Sequence, residues 1–304
     1  MQIETIAVVG GGTMGQRIVF GCLLGRRRTR VFDAVTGVAE KACSRVGEMV
    51  RQRVADGRLP TGTESVLRLL EPVESLQQCV EGADLVFETV PENVELKQQV
   101  FAEIDRYLGP TALLSTNTSS IPGSWLASST HCPERVFNAN WGTPDHLKIE
   151  VMGHPGTAPQ TLAAAVQFFR EIGLVPIVVK GEVVGYATNR IWRAVKKEVL
   201  QLLDAGYLTA EEIDRAWMLD WGTPIGPCGL MDKVGLDVVR DIEMIYYRAS
   251  GDPSDAPPPL VHRMIAEGKL GVKTGVGFYT YPDPAYNRKG WLTGKPAAAP
   301  EPRG

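Results

Sequence analysis

The run Gly10-Gly11-Gly12-Thr13-Met14-Gly15 constrains this chain more than any other segment, because of what flanks it. It follows residues 5–9, a short β-rich apolar run. It precedes Ile18, Val19, Cys22 and Leu23, whose apolar spacing is helical. Strand, tight glycine turn and helix in that order open a βαβ unit. A lone Gly-x-Gly-x-x-Gly is weak evidence, but here a second strand, Arg30-Val31-Phe32, stops at the acidic Asp33. In that setting Gly10 allows the turn and Gly12 lets backbone amides approach a pyrophosphate. Gly15 permits close packing of helix on strand, and Gly11, Thr13 and Met14 complete the loop and helix N-terminus that face the negative charge. Asp33 at the strand end accepts hydrogen bonds from adenosine ribose hydroxyls and repels a 2′-phosphate, which favours NAD over NADP. Arg26, Arg27, Arg28 and Arg30 precede the strand whose far end carries Asp33, and read as a solvated helix end rather than a phosphate clamp.

Beyond the fingerprint, apolar runs at 84–89, 112–115, 136–140, 148–152 and 175–179 alternate with helical stretches such as 94–107 and 159–172. That alternation is the pattern of an α/β fold with a Rossmann-type doubly wound parallel sheet. After about residue 183 strand-like runs give way to helical ones, at 188–205, 209–220 and 236–248, so an all-α C-terminal domain is expected. Thr209-Ala210-Glu211-Glu212 has the form of a capping box, a structural signal. The expected division is residues 1–183, residues 184–282, and a tail at 283–304 rich in Pro, Ala and Gly. Apart from Trp291, that tail holds too little apolar content to form a packed element.

The 304 residues leave room for about two domains. A hydrophobic share of 44% and a charged share of 22% belong to a globular chain, and disorder or a fibre is excluded as the whole answer. With 32 Lys+Arg against 35 Asp+Glu there is no basic surface of the kind that nucleic acid or anionic membranes attract. No apolar run approaches a membrane span and no secretory leader is evident, so the expectation is a cytoplasmic protein with a small-molecule partner. Cys22, Cys43, Cys79, Cys132 and Cys228 lack metal-ligand spacing and read as reduced thiols; no metal site is expected.

With further motifs the chain resembles the L-3-hydroxyacyl-CoA dehydrogenase family over nearly its whole length. Phe87-Glu88-Thr89-Val90-Pro91-Glu92-Asn93, with Lys97 beyond it, is similar to the family's Glu-x-Val-Pro-Glu-Asn stretch. Ser115-Thr116-Asn117-Thr118-Ser119-Ser120 is similar to its Ser-Asn-Thr-Ser-Ser loop. Thr188-Asn189-Arg190, Gly226-Pro227, Val234-Gly235-Leu236-Asp237 and Lys273-Thr274-Gly275-Val276-Gly277-Phe278-Tyr279 complete the ordered set. The resemblance implies an NAD domain, a helical domain that mediates homodimerisation, and an acyl thioester substrate. It also implies that Glu92, Lys97 and Asn117 line the nicotinamide half of the cofactor site, and that Ser119 and Asn189 contact the substrate oxygen. From the residues alone, Glu92 and Lys97 read rather as an exposed charge pair at a helix start, and Ser119 reads also as a helix cap.

The family's catalytic His opens a His-Phe-Phe-Asn-Pro segment, whereas this chain reads Asn140-Trp141-Gly142-Thr143-Pro144. Hydride leaving a carbinol carbon requires a group to take the hydroxyl proton, and an amide does not change protonation near neutral pH. Asn140 therefore polarises an oxygen but is no base. His146, Lys148 and Glu150 are the titratable candidates nearby. Glu150 corresponds to the family's assisting carboxylate, and His146 is the candidate relocated base. Asn189, Trp192, Arg193 and Lys196 share one helical face, which reads either as a wall where Arg193 meets a substrate carboxylate or as a solvated or dimer-interface face. Three readings follow: a 3-hydroxyacyl thioester dehydrogenase, a dehydrogenase of another hydroxy acid on the same scaffold, and an NAD-binding protein without turnover.

Overall fold

The computed structural model describes residues 2–142 and 147–294, and it divides into two units, residues 1–187 and 188–304. In the first, β1 (Thr5–Val9) alternates its buried side chains: Ile6 and Val8 enter one core while Ala7 and Val9 enter another. A strand buried on both faces lies within a sheet covered by helices on both sides. Helices α1 (Thr13–Leu24) and α2 (Val38–Ala55) cover one face, with β2 (Arg28–Phe32) between them in sequence. After the short β3 (Leu70–Pro72), α3 (Leu76–Val80), β4 (Leu85–Glu88), α4 (Val94–Asp105), β5 (Leu113–Thr116) and α5 (Gly123–Ala127) extend the sheet and cover the opposite face. Then come β6 (Val136–Trp141), β7 (Lys148–Met152), α6 (Pro159–Glu171) and β8 (Val175–Val179).

Among the described residues the sheet has eight strands, in the order β3-β2-β1-β4-β5-β6-β7-β8. Every neighbouring pair is parallel except β6 and β7, which run antiparallel with Asn140 opposite Glu150. The doubly wound reading holds, with this reversal added. Its cause is chain length: residues 142–147 are too few for a parallel crossover, which needs about a dozen or more. The reversal brings the beginning of β7 to the sheet edge where β1, β4, β5 and β6 end.

The second unit is helical: α7 (Thr188–Asp204), α8 (Ala210–Trp221), α9 (Pro227–Val234), α10 (Leu236–Ser250) and α11 (Pro259–Ala266). Thr209 caps α8 in a complete capping box with Glu212. Leu200, Cys228, Met231, Leu236 and Val261 form its core. Two buried carboxylates tie this unit together. Asp214 accepts from the Cys228 and Gly229 amides at the start of α9, at 2.8 and 2.9 Å, and from the Tyr279 hydroxyl at 3.0 Å. Asp232 accepts from the Phe278 and Tyr279 amides, each at 2.9 Å. A Cβ on Gly277 would sit 2.0 Å from an Asp232 oxygen, so the approach requires glycine there. The Gly226-Pro227 and Lys273–Tyr279 motifs are thus structural clamps.

Residues 283–294, expected to be poorly ordered apart from Trp291, are instead packed. Tyr286 meets Tyr279 edge-on at 4.9 Å, Leu292 packs on the helical core, and Trp291 is buried beneath the Arg215 guanidinium, 4.5 Å from its ring. Three aromatic and aliphatic anchors supply what the average composition of the segment conceals. Trp291→Ala is therefore expected to destabilise the helical unit by about 3 kcal/mol, seen as a lowered thermal midpoint; an unchanged midpoint would show that the segment is dispensable.

Candidate active site

The glycine loop joins β1 to α1. Gly10 adopts φ +112°, and a Cβ there would strike Thr89, whose hydroxyl donates to the carbonyls of Val9 and Gly10. A Cβ on Gly15 would lie 1.9 Å from the Gly10 carbonyl oxygen, so helix and turn meet only through glycine. Gly12, by contrast, would point a Cβ into open space. It borders a cleft of about 610 Å³ that is also lined by Gly10, Thr13, Met14, Asp33 and Thr89. The Asp33 carboxylate accepts from the Gly11 amide at 2.8 Å and from the Val35 amide at 2.9 Å, which binds the end of β2 to the glycine loop. The first turn of α1 carries no acidic side chain. An open helix N-terminus, a glycine cradle and a carboxylate at the rim match a dinucleotide's pyrophosphate and ribose.

Farther along the carboxyl edge, the Asn93 side chain caps α4 by accepting from the Leu96 amide at 2.8 Å, which places Glu92 just before the helix and Lys97 in its first turns. Lys97 is buried. Its Nζ donates to Glu88 Oε1 at 2.7 Å and to the Val90 carbonyl at 3.0 Å, and lies 3.6 Å from Glu92. Lys97 and Glu92 are therefore no simple surface pair. Glu88 also accepts from the Thr116 hydroxyl and the Val90 amide, each at 2.7 Å. Burial pushes the Glu88 carboxyl above its ordinary value, against the pull of Lys97 and these donors. Burial also raises Glu92, but hydrogen bonds from Ser120 and Thr118, then the Lys97 charge, outweigh it and leave its carboxyl below the ordinary value. Glu88 had no assigned part in the sequence reading; a carboxylate closing a fully apolar strand was its signal.

Asn117 accepts from the Trp141 amide at 3.1 Å through its side chain, and so joins the end of β5 to the end of β6. Ser119 is exposed, and its carbonyl accepts from the Gly185 amide at 3.0 Å. The neighbouring Tyr186, buried at φ +52°, donates its hydroxyl to the Thr118 carbonyl at 2.8 Å. The 118–119 loop is thus pinned to residues 185–186, which sequence spacing did not disclose.

Directly opposed across the antiparallel pair, Asn140 Nδ2 donates to Glu150 Oε2 at 3.1 Å. Lys148, two residues before Glu150 and on the same sheet face, reaches the same oxygen at 3.1 Å, and the Ala187 amide donates to Oε1 at 3.2 Å. Glu150 is fully buried while the Lys148 side chain is 34% exposed. The structure thus brings Asn140, Glu150 and Lys148 together. His146, the candidate base, lies outside the described residues.

The helical unit places Asn189 exposed in the first turn of α7. Arg193, expected to meet a substrate carboxylate, has partners within the chain. Its guanidinium binds Glu243 at 3.1 Å and Asp255 at 2.8 Å and stacks 4.0 Å from the Tyr246 ring. Lys196 is buried on Glu243 at 3.0 Å. Two carboxylates of the chain itself already neutralise this face, a commitment that helical spacing alone does not reveal.

Fold and cleft together define an NAD-dependent oxidoreductase of the dinucleotide-binding α/β class. The family model described as 3-hydroxyacyl-CoA dehydrogenase, NAD binding domain, matches residues 5–183, and that of the 3-hydroxyacyl-CoA dehydrogenase C-terminal domain matches residues 185–281. The chain belongs to the 3-hydroxyacyl-CoA dehydrogenase family. It is 32% identical to a 5-formyl-3-hydroxy-2-methylpyridine 4-carboxylate 5-dehydrogenase of Mesorhizobium japonicum, over 92% of this chain and 91% of that one. Identity to the mitochondrial hydroxyacyl-coenzyme A dehydrogenase of Sus scrofa is 29%, over 92% and 91% of the two chains. The crystal structure of (S)-3-hydroxybutyryl-CoA dehydrogenase from Ralstonia eutropha superposes with a TM-score of 0.84 at 28% identity, covering 93% of this chain and all of that one. Among the described residues no helix is long and apolar enough to cross a membrane, and no His, Cys, Asp and Glu cluster suits a metal ion.

Removing the cation beneath the cleft tests the buried pair. Lys97→Met leaves Glu88 without its counter-charge and is expected to cost about 3–5 kcal/mol of stability, whereas adding Glu88→Gln recovers part of the loss. Equal midpoints for Lys97→Met and wild type in thermal unfolding would contradict this.

Proposed function

We propose that this chain interconverts a 3-hydroxyacyl and a 3-oxoacyl thioester with NAD, in an active site where Asn140 stands in place of the family's histidine. The observation that carries the reading is the Asn140–Glu150 contact at the carboxyl edge of the sheet, beside the glycine cradle's own edge. In this reading Gly10, Gly11, Gly12, Thr13, Met14, Gly15 and Asp33 hold the adenosine and pyrophosphate. Glu92, Lys97 and Asn117 shape the nicotinamide half. Bound NAD supplies the hydride acceptor, and NADH the donor. Ser119 and Asn189 contact the substrate oxygen. Asn140, oriented by Glu150, polarises that oxygen through an amide N–H without exchanging a proton. The same reading includes a homodimer through the helical domain and a cytoplasmic setting, as the family resemblance implies.

A second reading, oxidation of a hydroxy compound without a thioester, is favoured by the loss of the histidine. The Mesorhizobium japonicum relative, whose name specifies a pyridine carboxylate, supports it as well. The scaffold does not fix the substrate.

Loss of NADH absorbance with acetoacetyl-CoA, beside a panel of free oxo acids, decides between them. Wild-type protein is expected to oxidise NADH with acetoacetyl-CoA, and Asn140→His to do so faster. Turnover of free oxo acids alone would establish the second reading, and NADH binding with no turnover of any substrate would overturn both.

A further inference from the structure

We propose that Lys148 is the proton donor and acceptor of this active site, with Glu150 as its positioning residue. The inference rests on the reading of the chain as an oxidoreductase acting on a carbonyl or carbinol. Because β7 runs antiparallel to β6, its first residues, rather than its last, lie at the edge where the parallel strands end. Lys148 and Glu150 occupy alternate positions of β7 and so project to one face, the face that Asn140 shares as the partner of Glu150. Glu150 is entirely buried, and its Oε2 receives both Asn140 Nδ2 and Lys148 Nζ at 3.1 Å. A buried carboxylate needs a counter-charge, and Lys148 supplies it. Unlike Glu150, Lys148 is partly open to solvent, so its ammonium can exchange protons with water after each turnover.

Of Asn140 Nδ2 and Lys148 Nζ, only the ammonium has a proton that it can pass to an alkoxide forming at the substrate oxygen. Among the described residues, Glu150 is the carboxylate that pairs with Lys148. Glu150 lies on its own strand. Neither β6 nor β8 carries a charged side chain next to it, β6 contributing the amide of Asn140.

The step balances as carbonyl reduction. The carbon gains the hydride that bound NADH supplies and the C=O π pair passes to oxygen. An O–H bond forms there as an N–H bond of the Lys148 ammonium breaks, leaving a neutral amine that water reprotonates. Oxidation is the reverse, with the amine taking the hydroxyl proton.

Lys148→Arg and Lys148→Ala test the proposal. Arginine keeps the positive charge beside Glu150 but does not deprotonate in a protein. A proton-transfer role therefore predicts a fall in kcat of about 10²–10⁴-fold in both variants, with NADH affinity, read by fluorescence titration, unchanged. It further predicts that small primary amines restore Lys148→Ala turnover in proportion to concentration and basicity, an effect that a structural cation would not produce. A readout without cofactor or substrate is acetylation of Lys148 by acetic anhydride, followed by mass spectrometry, which is expected to be faster in Glu150→Gln than in wild type at the same pH. Wild-type-like kcat in Lys148→Arg, or no response of Lys148→Ala to amines, would overturn the role of Lys148. Absence of any substrate-dependent NADH oxidation by wild type would instead overturn the oxidoreductase reading, and this inference with it.

Discussion

The short return between β6 and β7 is the constraint on which the arrangement of the active site depends. Six residues, 142–147, cannot carry the chain back for a parallel pairing, so β7 reverses and Asn140 faces Glu150. One consequence is chemical. Residues at the beginning of β7 reach the edge where β1, β4 and β5 deliver Gly10, Glu88 and Thr116. A parallel β7 would have put Lys148 at the opposite edge, away from the glycine loop. The polar groups of the site therefore converge through strand direction, without any long loop to organise them.

Two buried carboxylates sustain that edge in different ways. Glu88, closing β4, is neutralised by Lys97 from α4 and hydrogen-bonded by Thr116 from β5, so one charge pair fastens three elements beneath the cofactor side. Glu150 is held by Asn140 on β6, Lys148 on its own strand and the Ala187 amide. Buried charges of this kind bring little net stability, because desolvation offsets much of the attraction. Their effect is to fix orientation: each carboxylate has its oxygens committed to named donors, and the side chains around it have a defined direction. The helical unit uses the same device structurally, with Asp214 and Asp232 accepting backbone amides from the segments they clamp.

In the proposed reading, where Asn140 stands in place of the family's histidine, the same geometry has different chemistry. An Asn in contact with a carboxylate preserves hydrogen bonding but not proton transfer. In that reading Glu150 has Lys148 as a partner, and the Lys148 side chain is partly open to solvent.

Much of the fold was legible in the sequence, because its determinants are local. Period-2 and helical apolar spacing located β1, β7, β8, α6 and α10 to within a few residues, since each strand or helix face must bury its own apolar stripe. The glycine fingerprint was legible because a left-handed turn and a helix packed against a carbonyl admit no Cβ, whatever lies around them. Partners distant in sequence were not legible. Nothing local marks Glu88 as the acceptor for Lys97, or Tyr186 as the anchor of the loop at Thr118. Nor does helical spacing at Arg193 reveal that Glu243 and Asp255 already hold its charge. The tail misled for a related reason: average composition hid Tyr286 and Leu292, which pack on a surface built elsewhere in the chain. By itself the sequence determined the elements and the cofactor loop, both written in neighbouring residues. Only the tertiary structure decided which charges meet, because ion pairing and burial are set by chain reversals and by strands brought together from far apart.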